Sequence, residues 1–224
     1  MTETTTLELD AVSIAIGVHS LFMPITATLT GGDCLTLMGP SGSGKSSLLA
    51  YVAGTLDADF TPHGRVRMGG VDVTLLAPER RRIGILFQDD LLFPHLSVGA
   101  NLAFALPGSV RPIAQRRQRV EQALSDAGLA GFADRDPATL SGGQRARVAV
   151  MRTLLAEPQA LLLDEPFSKL DATLRDDFRR FVFGHARKRG LPTILVTHDE
   201  ADARATQGPM IRLSPDSRIE RANR

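Results

Sequence analysis

The chain has 224 residues, enough to bury one substantial core and short for two independent ones, and its 43% hydrophobic and 23% charged residues fit a folded globular chain. Lysine and arginine number 26 against 25 acidic residues, so no global positive field exists to hold a polyanion, and nucleic acid is not an expected partner. No run of 18 apolar residues occurs, and Met1 to Thr6 lack a basic and apolar leader pattern, which gives the expectation of a chain that stays in the cytosol.

Only Cys34 is present, which excludes an intramolecular disulfide and any multi-cysteine metal cage. It lies in the alternating apolar run Cys34 to Met38 and is expected to be a small core residue. Period-two alternation in Leu7 to Asp10, Ile25 to Leu29 and Cys34 to Met38, with turn signals such as Gly31-Gly32-Asp33 between them, predicts strands and hairpins. At Gly39 the pattern breaks, and Lys45 to Ala53 carries apolar residues at helical spacing. The local order is therefore strand, glycine loop, helix.

A further strand signal, Ile83 to Phe87, ends at Gln88, after which helical periodicity dominates from about Ser97 to Ala156. Strand patterns return at Ala160 to Leu163 and Thr193 to Val196, with a helix over Ala172 to Lys188 between them and a short strand at Ile211 to Leu213. Strands alternating with helices imply a mostly parallel sheet covered on both faces. The expected architecture is α/β: one domain over 1–224, with N-terminal antiparallel strands, a core of about 1–88 and 159–224, and an inserted helical lobe of about 89–158. The basic stretch Arg111 to Arg119 falls on a predicted helix with apolar Ile113, Val120 and Leu124, and reads as a solvated face.

Gly39, Pro40, Ser41, Gly42, Ser43, Gly44, Lys45 and Ser46 fit the pattern G-x-x-x-x-G-K-[ST] of a P-loop nucleoside triphosphatase. Glycines there let backbone N–H groups turn inward around phosphate oxygens, and the anion sits at a helix N-terminus. Lys45 is positioned to reach the β- and γ-phosphates, Ser46 to ligate Mg²⁺, and Ser47 to bond phosphate. The strand Ala160 to Leu163 delivers Asp164 and Glu165 at its C-terminal end, where ligands of open α/β sheets collect. Asp164 suits Mg²⁺, directly or through water, and Glu165 suits orienting or deprotonating a water; a helix N-cap is the alternative for such a pair. His198, after the strand Thr193 to Thr197, stands at the same sheet edge and suits contact with the γ-phosphate. His19, His63, His95 and His185 have no such context and read as ordinary polar residues.

Together with these motifs, Leu140-Ser-Gly-Gly-Gln144 resembles the signature of the ATP-binding-cassette (ABC) ATPase family, and the resemblance covers nearly the whole chain in the family's order. That order is phosphate loop, Gln88 of the Q-loop, signature, the Asp164–Glu165 strand, the D-loop Ser168 to Asp171, and the His198 switch. The resemblance implies ATP and Mg²⁺ as cofactors, with Gln88 near the metal or the attacking water. It implies a homodimer in which Ser141, Gly142, Gly143 and Gln144 of one subunit cover the nucleotide of the other. It also implies transmembrane permease subunits, a solute-binding protein acting with them, and a place at the cytoplasmic face of the membrane. Asp89 to Ser97 is similar to the segment that meets the membrane subunit in importer ATPases, making Leu91, Leu92 and Phe93 either contacts or lobe core.

Three departures from the family pattern stand out. The position expected to stack an aromatic ring on the base is Ile16, with no Tyr or Trp nearby, so apolar contact alone and a relaxed preference between ATP and GTP are expected. Lys169 replaces a small D-loop residue, which implies a changed dimer contact, with Asp171 retained. The chain ends soon after His198, so a fused C-terminal regulatory domain is not expected. The competing functions are a soluble ABC ATPase acting on DNA or ribosomes, a catalytically dead scaffold and a small-molecule kinase. The first lacks paired cassettes or a long coiled coil here, the second is countered by Lys45, Glu165 and His198, and the third has no use for Leu140 to Gln144.

Overall fold

Alternation in the N-terminal third becomes a long strand with one break in phase. The computed structural model describes residues 5–214 and 220–221. Strand β1 (Leu7–Ile16) buries Leu7 and Leu9, passes a bulge, and then buries Val12 and Ile14. Ala11 takes φ 49° in the bulge, and Gly64 on the facing strand takes φ 84° at a place where a Cβ would also meet the Ala11 carbonyl oxygen at 2.5 Å. The bulge changes which parity of residue faces inward, so Ile16 lies on the same sheet face as buried Val12 and Ile14 but is itself exposed.

The chain divides into two compact units. The first comprises Met1–Ile85, Gln159–Glu165 and Phe183–Arg224, and holds two sheets. In the antiparallel sheet, β1 pairs with β2 (His19–Ser20), β3 (Ile25–Leu29) and β5 (Phe60–Met68), and β5 pairs with β6 (Val71–Asp72). The other sheet runs β11-β10-β4-β9-β8-β7, built from β4 (Cys34–Met38), β7 (Ile83–Leu86), β8 (Ala160–Asp164), β9 (Thr193–Val196), β10 (Met210–Arg212) and β11 (Glu220–Arg221). The β10–β4, β4–β9 and β9–β8 pairs are parallel. Near-continuous burial along β4, β8 and β9 is the signature of a sheet covered on both faces.

Helix α1 (Lys45–Ala53) touches β1 of one sheet and β8 and β9 of the other. Leu48, Leu49, Tyr51 and Val52 enter a core shared with Leu35, Leu37, Leu162, Ile194 and Val196. Its C-terminal carbonyls are held by Arg81 on α2 (Pro78–Arg81), whose Nη1 donates to Tyr51 O at 2.7 Å and Val52 O at 3.0 Å. A cation at a helix C-terminus is favoured by the backbone dipole, and the buried guanidinium fixes the far end of the helix that carries the glycine loop. Helix α7 (Glu200–Thr206) completes this unit.

The second unit comprises Leu86–Pro158 and Pro166–Val182. It contains α3 (Val98–Phe104), α4 (Ile113–Asp126), α5 (Gly142–Leu155) and most of α6 (Ala172–Lys188). Val120, Ala123 and Leu124 of α4 and Val148, Met151 and Leu154 of α5 are buried, while Ile113 is exposed at the start of α4 beside the basic stretch. Asn101, fully buried, accepts from Phe93 N and donates to the carbonyls of Phe93, Leu96 and Ser97, which ties down the segment before α3. Among the described residues, no helix is long and apolar enough to cross a membrane.

Candidate functional site

Strand β4 ends at Met38, and the next nine residues wrap the N-terminus of α1. Gly39 is required by packing: a Cβ would lie 2.5 Å from the Leu213 carbonyl oxygen. At Gly44, φ is 86° and a Cβ would meet the Phe22 ring at 2.8 Å, so two separate constraints select glycine at the helix entrance. Lys45 is buried, and its Nζ donates to Gly39 O at 2.9 Å and Pro40 O at 2.8 Å. Two of its three protons thus hold the loop closed on itself, and one is left to direct at an anion. Ser43 Oγ is buried with no hydrogen-bond partner, a polar group that a phosphate oxygen would satisfy.

The loop lines a cavity of about 400 Å³ together with Ile16, Leu21, Phe60, Glu165 and His198. That volume suits a small organic ligand. A larger cavity of about 640 Å³, bounded by Thr26, Leu35, Ala203, Pro209 and Ile211, contains none of the phosphate-loop residues.

Asp164 closes β8 with Oδ1 3.4 Å from Ser46 Oγ. Burial pushes its carboxyl above the ordinary carboxylate range, with the Glu165 charge adding to the effect; the Ser46 hydroxyl and Lys45 act in the opposite sense. Among the described residues no group of three His, Cys, Asp or Glu side chains gathers to hold a metal. A cation at Ser46 and Asp164 would therefore take its other oxygens from phosphate and water, the coordination that Mg²⁺ favours. The donor set fits that ion.

Glu165 stands in the left-handed region at φ 47°, a conformation costly for any residue with a Cβ, and its N–H donates to Val196 O at 3.0 Å. The turn brings its Oε2 to 3.2 Å from His198 Nδ1. His198 is held from below by its neighbours. Buried Thr197 donates from Oγ1 to Asp202 Oδ2 at 2.8 Å, accepts from Asp199 N at 3.0 Å, and Asp199 accepts from Ala201 N at the start of α7. Backbone strain and a side-chain lock at one spot mark a place where geometry outranks local stability.

Phe60 is, with Leu21, a lining residue that the sequence reading missed. It pairs with Ile16 across the β1–β5 register, and residues directly opposite share a face of the sheet. Ile16 is 46% exposed, Phe60 is half-buried, and with Leu21 they form the apolar part of the cavity lining. None of these three side chains carries a hydrogen-bonding group to read the edge of a base.

In the second unit, Ser141 caps α5: its Oγ accepts from Gln144 N at 3.3 Å, and Gln144 Oε1 accepts from Ser141 N at 2.9 Å. This reciprocal capping box leaves Gly142 exposed, and a Cβ there would meet nothing within 4 Å. The fold of this unit therefore does not itself demand glycine at 142. Gln88, exposed, lines a cavity of about 350 Å³ with Asp89, Asp90, Gly142, Arg145 and Lys169. Arg145 Nε donates to Asp90 Oδ2 at 2.9 Å, and Lys169 pairs with Asp89. Lys169 thus contacts the segment after Gln88 within its own chain, while Asp171 Oδ1 accepts from Leu174 N and caps α6. Leu91 is exposed; Phe93 is half-buried, packed edge-on against Phe104 with ring centroids 5.0 Å apart.

A profile of the ABC transporter family matches residues 22–168. The ABC transporter ATP-binding protein YnjD of Escherichia coli, described as uncharacterized, is 49% identical over 194 residues, which cover 87% of this chain and 89% of that protein. The sulfate/thiosulfate import ATP-binding protein CysA of Nocardia farcinica is 45% identical over 179 residues, 80% of this chain and 53% of CysA. The Fe(3+) ions import ATP-binding protein FbpC of Agrobacterium fabrum is 41% identical over 195 residues, 87% of this chain and 54% of FbpC. The chain thus spans most of YnjD and about half the length of the two import proteins. The matched span takes in the glycine loop, the capped Ser141 helix and the strand-end pair Asp164 and Glu165, and the chain belongs to the ABC transporter family as one of its ATP-binding ATPases.

Proposed function

We propose that this chain powers the import of a small solute, hydrolysing Mg-ATP at the cavity of Gly39 to Ser47 and passing the resulting motion to separate membrane subunits. The observation that carries the reading is the Glu165 Oε2 to His198 Nδ1 approach of 3.2 Å beside a glycine loop whose lysine is already folded over it. The import direction is supported by the names of relatives such as CysA and FbpC, which are import ATP-binding proteins. In this reading partner permeases form the path for solute and the chain works at the cytoplasmic face of the membrane. A solute-binding protein supplies the cargo in this reading.

Gly39, Pro40, Ser41, Gly42, Ser43, Gly44 and Ser47 hold the phosphates through loop and helix N–H groups and hydroxyls, and Lys45 neutralises β and γ oxygens. Ser46 and Asp164 are the groups that would hold Mg²⁺, which when bound would offset the charge of the phosphates. Glu165 orients a water for in-line attack and takes its proton, while His198 contacts the γ-phosphate and fixes the carboxylate by the 3.2 Å approach. Ser141, Gly142, Gly143 and Gln144 meet the nucleotide of a second copy, so ATP closes a homodimer and hydrolysis reopens it. The open space beyond Gly142 Cα supports that approach from outside.

Steady-state hydrolysis tests the catalytic part. Lys45→Ala is expected to abolish nucleotide binding, and Glu165→Gln to keep binding and lower turnover by about a hundredfold or more. Undiminished turnover in Glu165→Gln would remove Glu165 from the mechanism.

A further inference from the structure

We propose that Phe60 is the platform on which the base of the bound nucleotide stacks; this rests on the nucleotide reading of the same cavity. The lining divides chemically in two. Lys45, Ser46, Ser47, Glu165 and His198 supply charge and hydrogen bonds, whereas Ile16, Leu21 and Phe60 are apolar. A nucleoside triphosphate has the same division, a polyanionic tail and a flat base with two π faces.

Of the apolar three, only Phe60 presents a flat ring. The β1 bulge and the register that follows it put Phe60 opposite Ile16, on the face that carries Val12 and Ile14 into the core. The ring is half-buried and packed against that core, so it is held in place before a ligand arrives. Preorganisation of this kind removes the ordering cost of forming the stack, and base stacking on an aromatic ring is sequence-tolerant because every base has a π face. Ile16 then serves as the apolar shoulder beside the ring, and the adenine contact that position 16 alone cannot make is recovered one strand away.

Calorimetry with two probes, Mg-ATP and Mg-tripolyphosphate, reads the base contribution separately from the phosphate contribution. Phe60→Ala is expected to weaken Mg-ATP about tenfold and to leave tripolyphosphate unchanged, with Phe60→Tyr restoring ATP affinity. Phe60→Leu keeps the apolar packing and lacks the π face, so it should show the same selective loss at an unchanged melting temperature. Equal weakening of both probes, or of neither, overturns the platform role. Should the unmodified chain bind neither probe, the nucleotide reading itself fails, and that result is distinct from any behaviour of the Phe60 variants.

Discussion

Glu165 Oε2 lies 3.2 Å from His198 Nδ1 while Glu165 holds φ 47°, a backbone conformation that costs a residue with a Cβ about 1 kcal/mol. The site therefore holds strain that glycine would relieve. Glu165→Gly is expected to raise the melting temperature by about 3 °C while losing turnover, so that stability and activity move in opposite directions. Thermal melts and phosphate release on the same preparation check this. A variant that loses both would mean the side chain, and not the backbone, governs stability at this turn.

Asp164 gives a pH dependence of definite sign. Its folded-state pKa lies above the ordinary carboxylate value, so the unfolded chain loses the proton first as pH rises, and stability falls across that window. Asp164→Asn is expected to melt higher than the unmodified chain at pH 7 in the absence of nucleotide and Mg²⁺, with the gain vanishing below about pH 4. Melting curves from pH 3.5 to 7 decide; a gain independent of pH would point to packing in place of charge.

Asp202 reaches His198 through Thr197, so it is a positioning residue. Removing its carboxylate in Asp202→Ala leaves the buried Thr197 hydroxyl without its acceptor, at a cost of about 1 to 3 kcal/mol. Turnover should fall severalfold while KM for ATP stays within about twofold, because the phosphate-loop contacts are untouched. A rise in KM with unchanged kcat would contradict the assignment.

Cys34 is buried between sheet neighbours, and burial pushes its thiol up to about 12. Thiolate is the reactive form, so alkylation of the native chain at pH 8 should be slower by about a thousandfold than in denaturant. Mass spectrometry after timed labelling checks the ratio.

Much of the fold was legible because the buried parallel strands write themselves as continuous apolar runs. Cys34–Met38, Ile25–Leu29 and the helices Lys45–Ala53 and Ala172–Lys188 stand where the periodicity places them. Strand β5 was not legible: Pro62 and Gly64 read as turn residues, and its first six positions are largely exposed, so the alternation that marks a half-buried strand is missing. Phe60 was lost with it, since its partnership with Ile16 depends on a bulge that spacing along one strand cannot reveal. Pro166–Val182 likewise carries no local mark of grouping with the helical unit; Phe167 packing edge-on against Phe178 is a contact that only the folded chain makes. The pairing of Lys169 with Asp89, eighty positions earlier, is likewise a contact that only the folded chain makes.

The proposed function has ATP join two copies through the face that Ser141 and Gly142 present. The most direct measurement is the solution mass of the Glu165→Gln chain with and without Mg-ATP, alongside the same chain carrying Gly142→Asp. The added side chain has open space in the isolated fold, so that variant should melt normally. The expected result is a monomer without ATP, a dimer of twice that mass with ATP, and a monomer in both conditions once Gly142→Asp is present. A chain that binds Mg-ATP and stays monomeric, or a dimer indifferent to Gly142→Asp, would contradict it.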